Sequence, residues 1–398
     1  MATPQFRLRQ RGSTPAIRPF SPMPPVLQRM ADRGKDLLTQ EFRGITIDGA
    51  VRPGLYRLEK TGHSLTGVAD AAKAYLAALS QDERGRTRFP LEDRAWQQWS
   101  NVHPWLARHG VCLADLSGEQ RERALGLLRA SLSASGYQTS RDVMRLNETV
   151  LELTGRPDEY GEWLYWVSIM GEPSASEPWG WQIDGHHLIV NCLVVGDQMV
   201  LTPMFMGSEP VHATTGKYAG TRVFEDEEKK GFHLMSALSP EQRARATIGE
   251  KLPFDVMATA FHDNDVMKFE GLRVGDMTKE QRELLDRLIG VYTGRIRPGH
   301  AEIRYAEARR HLDETWFAWI GRFDDESPFY YRIHSPVVLI EFDHQSGIVF
   351  DNDEHTRSHI HTIVRTPNGN DYGKDLLRLH YAQRDHADPR SPHRRGGA

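Results

Sequence analysis

The chain has 398 residues, 39% hydrophobic and 26% charged, with a net charge of −4. This is an ordinary globular composition with enough apolar material for a full core, in one large domain or two, and it gives no bulk attraction to nucleic acid or an anionic membrane. The two cysteines, Cys112 and Cys192, cannot build a disulfide framework and have no metal-ligand spacing, which fits a reducing, cytoplasmic setting.

Residues 1–45 read as a flexible arm rich in Arg and Pro, with Arg7, Arg9, Arg11, Arg18 and the run Pro19 to Pro25. The arm has no apolar segment of the secretory kind, and no stretch of the chain approaches the ~18 apolar residues of a membrane span. Residues 386–398 read as a disordered tail. Between them, 46–385 reads as a single α+β domain, helical over 46–158 and sheet-containing over 159–385. Four segments carry the capping-box pattern of a helix start, at Ser80, Ser117, Ser239 and Thr278, each with Glu or Gln three residues on. Apolar residues at helical spacing predict helices over Gly67–Ser80 and Arg141–Leu153.

Near Gly161 the pattern changes. Trp163–Met170 and Trp179–Val195 are rich in aromatic and β-branched residues and predict strands, the second of them one long strand or two. Gly196–Gln198 reads as a turn into an antiparallel return over Met199–Met206. Helices are expected over Glu225–Ala246, Thr278–Gly294 and Ala301–Ile320. The stretch Pro253–Val274 shows no clear period. Strands follow at Phe329–His334, Val337–Asp343 and His359–Val364, then a closing helix from Asp371 to Tyr381, capped by Asp371. Clustered strands joined by turns predict a mostly antiparallel sheet flanked by helices.

The chemistry concentrates in histidine. Seven of the 18 histidines lie between His334 and His386. His359 and His361, two apart on a strand, point to one face and form a bidentate arm for a metal. The plainer alternative is a pair of hydrogen-bonded core histidines. His186 and His187 lie far upstream; on a strand they would alternate, so only one could face a given site. Glu341 and Asp343 share a face with Leu339 and are costly there unless paired or metal-bound. They read as ligands, as partners orienting imidazoles, as a general base, or as ion pairs with Arg332 or Arg365. Arg365 could grip an anionic substrate, and His380 could return from the closing helix to the sheet. No Walker A, GxSxG or HExxH pattern is present.

Several stretches resemble the bacterial and fungal family designated domain of unknown function 3500. They are Trp179-Gly-Trp, Gly185-His-His-Leu, Asn191, Pro203 to Pro210, Tyr331 to Pro336, Glu341-Phe-Asp343, His359-Ile-His361, Arg365, and Asp371 to Leu377 with His380-Tyr381. The resemblance spans about Trp163 to Tyr381. It implies that His186, His187, Glu341, Asp343, His359, His361, Arg365 and His380 belong to one site, and it implies no reaction.

The residues thus predict a metal-dependent enzyme. Its transition metal, iron, copper or zinc, would be held by His186, His187, His359, His361 and His380. Glu341, Asp343, Arg365 and Asp371 are the catalytic candidates. Trp179, Trp181 and Tyr372 would line an aromatic pocket for a small organic substrate. The wealth of imidazole and aromatic groups leans the expectation toward an oxidoreductase. A zinc hydrolase or lyase, an acid–base enzyme without metal, a non-catalytic binding protein and a partner-binding protein using the Pro-rich arm are the alternatives. Neither a nucleic-acid nor a membrane partner is expected, and the sequence leaves the oligomeric state open.

Overall fold

The structure is a computed structural model and describes residues 7–9, 25–102 and 108–387. Thirteen strands among these residues form one sheet. Its middle runs Tyr165–Gly171, Trp179–Gly185, Leu188–Val195, Met204–Ser208, His355–Arg365, Leu339–Ser346, Tyr330–His334 and Trp316–Ile320, each antiparallel to the next. Only the short strands Arg88–Phe89 and Thr247–Gly249, at the two ends of this path, pair in parallel. The expected α+β class with a mostly antiparallel sheet is what the chain adopts.

Strand alternation divides the molecule into two chemically different halves. One face carries Trp179, Trp181, Ile183, Val190, Met206, Ile340, Phe342 and Ile360, packed in one apolar cluster with residues of the helices Thr66–Ala78, Gly118–Ser131, Ala134–Thr154, Glu225–Ala237 and Lys279–Thr293. Burying each large side chain there contributes about 1.5–3 kcal/mol. The opposite face carries Gln182, Asp184, Asn191, Glu341, Asp343, His359, His361 and Arg365, all buried, beside a smaller apolar cluster that includes Phe205, Leu339 and Ile363. It is covered by segments of little regular structure, 93–102 and 250–271, which meet its polar side chains with backbone N–H and C=O groups.

All four capping boxes form, with the hydroxyl accepting from the N3 amide and the N3 side chain accepting from the cap amide. Among the described residues no helix is long and apolar enough to cross a membrane.

Several expected elements differ: the helix read over Glu225–Ala246, for one, is two, Glu225–Ala237 and Pro240–Ala246. The segment read as a helix over Ala301–Ile320 is a helix only over His300–Arg310, and Trp316–Ile320 is a strand paired with Tyr330–His334. A five-residue run of bulky apolar groups fits either element by period, and cross-strand packing decides here. The segment read as a free arm contains the helix Pro25–Thr39, whose Leu27 and Leu37 are buried in the smaller cluster. Most of the rest of the arm, and residues 388–398 of the tail, lie outside the described residues. Finally, Asp371 does not cap the closing helix Lys374–Ala387. It begins a short 3-10 turn, and its carboxylate accepts from Thr366 N at 2.7 Å and Arg365 Nη1 at 3.1 Å.

A candidate metal centre of three histidines

The strand His355–Arg365 places His359 and His361 on the polar face, two residues apart as their spacing requires. The third ring comes from a turn. Trp179–Gly185 and Leu188–Val195 form a hairpin with Gly185 paired to Leu188, so His186 and His187 are the two turn residues and not part of a continuous strand. His187 sits at φ 62°, a conformation in which a side chain costs on the order of 1–3 kcal/mol. The sheet order then puts only Met204–Ser208 between this hairpin and the His359 strand. Gly207 lies beneath the rings: a Cβ there would stand 2.8 Å from His361 Cδ2 and 3.1 Å from His187 Cδ2.

The three Nε2 atoms converge in a near-equilateral triangle. His359 and His361 are 3.0 Å apart, His187 and His361 3.1 Å, and His187 and His359 3.2 Å. All three residues are buried. The far nitrogens decide what the near ones hold. His359 Nδ1 lies 2.7 Å from the carbonyl oxygen of Ser346, which can only accept, so Nδ1 carries the hydrogen. His361 Nδ1 donates in the same way to Asp255 Oδ1 at 2.7 Å. Neutral rings in this state turn bare lone pairs toward one another. A tetrahedral ion with metal–nitrogen bonds of ~2.0–2.1 Å would separate its imidazole nitrogens by ~3.3 Å, close to the triangle formed here. The donor set therefore fits a transition metal, bound from one side by three neutral nitrogens.

The second layer is also built. Burial pushes the Asp255 carboxyl up, but its close contact with the His361 ring and the hydrogen bonds it accepts from His361, Val256 N and Asn101 outweigh this and hold it below the ordinary range. Burial above all pushes His359 well below the usual histidine value, which favours the neutral ligand form.

The other predicted residues take different places. His186 stacks on His187, with centroids 3.9 Å apart, and its Nδ1 meets Asn147 Oδ1 at 2.8 Å; it is outside the ligand group. His380 is on the closing helix and also outside that group. Glu341 accepts from Met257 N at 2.6 Å, Ala258 N at 2.9 Å and Tyr330 Oη at 2.8 Å, so it anchors the segment that delivers Asp255. Arg365 is fully buried: Nε donates to Ala258 O, Nη2 to Thr259 O, and Nη1 to Asp263 and Asp371. With these contacts it ties the same segment down and has no face toward solvent for a substrate anion. Asp343 is the cross-strand partner of His361. Gln345 donates to its Oδ2, while its Oδ1 is buried with no hydrogen-bond partner among the described residues. Burial pushes its carboxyl well above the ordinary range, and the charges of Asp255 and Glu341 add to this.

The aromatic candidates do not line this centre. Trp179 and Trp181 belong to the apolar cluster on the other face of the sheet, because residues of odd number on their strand point away from the polar face. Tyr372 gives its hydroxyl to Asp263 and accepts from Trp99 Nε1 at 2.9 Å, inside the Arg365 network.

Sequence reading missed Asp255, Glu209 and Gly207. The first lies in a stretch without periodicity, where only its three-dimensional neighbours reveal it. The other two lie within the Pro203–Pro210 motif, but no spacing rule links them to His359 and His361.

A family model described as Protein of unknown function (DUF3500) matches residues 61–374. The chain belongs to the DUF3500 family. The match includes all three histidines, Asp255, Glu209 and Gly207, and it extends back through the helical part. It stops before His380. No curated protein and no solved structure matches the chain.

Proposed function

We propose that this chain is a metal-dependent enzyme with a mononuclear centre held by His187, His359 and His361, acting as a Lewis acid in hydrolysis or lyase chemistry on a small organic molecule. The observation that carries the reading is the triangle of inward lone pairs fixed by two outward N–H donations. Three imidazoles with no carboxylate in the ligand group suit zinc or copper better than the two-histidine, one-carboxylate arrangement of non-haem iron. The oxidative lean rested partly on a nearby aromatic pocket, and Trp179, Trp181 and Tyr372 are engaged elsewhere. A bound divalent ion would polarise a substrate carbonyl and acidify a water molecule. Asp343, on the ligand face with one oxygen unpaired, is the candidate acid–base group.

The test is elemental analysis of untagged protein, followed by assay of zinc-loaded, copper-loaded and iron-loaded samples against ester, amide and lactone panels with oxygen uptake recorded. The expected result is about one zinc per chain, lost in His359→Ala/His361→Ala while the fold survives, and turnover without oxygen. Oxygen-dependent turnover by the copper or iron form would overturn the Lewis-acid reading and restore the oxidative one. A folded wild-type protein that retains no metal would overturn both.

A further inference from the structure

Glu209 follows directly on the strand Met204–Ser208, which pairs with the His359 strand, and its buried carboxylate is held by a backbone cradle. Ile348 N donates to both carboxylate oxygens at 3.0 Å, Val349 N to Oε2 at 2.9 Å and Phe350 N to Oε1 at 3.3 Å. Three consecutive amides converging on one anion form a strong, charge-assisted site. Those amides begin two residues after Ser346, past Gly347, and the Ser346 carbonyl takes the Nδ1 hydrogen of His359 at 2.7 Å. Glu209 Oε2 itself lies 3.6 Å from that same Nδ1.

We infer that Glu209 is a positioning residue: it locks the turn after Ser346, and so fixes His359 in the Nδ1–H tautomer with its Nε2 lone pair aimed at the centre. Two effects act in the same direction. The cradle fixes where the Ser346 carbonyl points, and the carboxylate charge beside Nδ1 favours a hydrogen on that nitrogen. Neither effect needs Glu209 to touch metal or substrate. The inference deepens the metal-centre reading, but the tautomer it predicts belongs to the metal-free protein too.

The experiment compares wild type, Glu209→Gln and Glu209→Asp by nitrogen-15 NMR of the His359 ring in the metal-free state, and by cobalt(II) titration with the visible ligand-field bands recorded. Wild type is expected to show the Nδ1–H form. Glu209→Gln should keep its circular dichroism, mix in the Nε2–H form, weaken cobalt binding about 10–100-fold and shift the bands. Glu209→Asp, which keeps the charge, should recover part of each signal, and it carries the test if Glu209→Gln does not fold. An unchanged His359 tautomer and unchanged bands in a folded variant would overturn the inference, as would an Nε2–H ring in wild type. Failure of the wild type to bind cobalt would sink the metal reading alone, because the tautomer measurement would still decide the role of Glu209.

Discussion

His361 gives its Nδ1 hydrogen to Asp255 at 2.7 Å, across 106 residues of sequence. A carboxylate on the far nitrogen of a ligating imidazole fixes the tautomer and raises the basicity of the near one. Asp255→Ala should therefore weaken zinc affinity about 10–100-fold, and Asp255→Asn less, since its amide oxygen still accepts. Competition against a chromophoric chelator at fixed pH reads this directly. Unchanged affinity in folded Asp255→Ala would mean that the contact does not serve the ligand.

Gly207 has a different job, which is to be small. Its Cβ position lies 2.7 Å from Ile360 O as well as close to two of the rings, so any side chain must displace strand or histidines. Gly207→Ala should cost about 1–3 kcal/mol of stability through overpacking and should lower metal affinity beyond that. Denaturant unfolding of the metal-free protein separates the two effects. A variant with normal affinity would show that the rings can shift without loss.

The shared face of His359 and His361 was legible in the sequence because strand parity is a local rule, and the sheet followed from the runs of β-branched and aromatic residues. The four helix starts were legible because a capping box is complete within four residues. What escaped was which of His186 and His187 faces the site, and what the aperiodic segment contributes, because both are set in three dimensions. His187 reaches the site only because a two-residue turn brings it there, and Asp255 only because Glu341 and Arg365 tie an aperiodic segment over the strands. Trp179 and Trp181 looked like pocket walls because they are near His186 in sequence, yet the same parity rule that joins His359 to His361 sends them to the helix-covered face.

Arg365 is the clearest case of a charged residue whose burial changes its meaning. Removing one partner of a buried ion pair leaves the others uncompensated, at a cost of about 3–5 kcal/mol. Arg365→Met strands Asp263 and Asp371, both fully buried, and should destabilise the protein by that amount in urea unfolding. An arginine that served only to grip substrate would leave stability untouched and raise KM instead.

His334 should contribute to the acid limb of stability. Burial pushes its ring down to about 3, helped by the charge of Arg332. The unfolded chain takes up a proton near pH ~6.5 and the folded chain does not, so stability falls as pH drops from ~6.5 toward the folded value. The loss for one such group is on the order of a few kcal/mol. Asp184 and Asp371 act in the opposite sense, because burial raises them to about 7 and about 6, so their cost grows as pH rises through the acid range. The informative quantity is therefore the difference between His334→Gln and its parent, which cancels the carboxylates. Urea unfolding at pH 7 and again at pH 4.5 should show the variant gaining on the parent at the lower pH, and parallel curves at the two pH values would assign the acid limb to other groups.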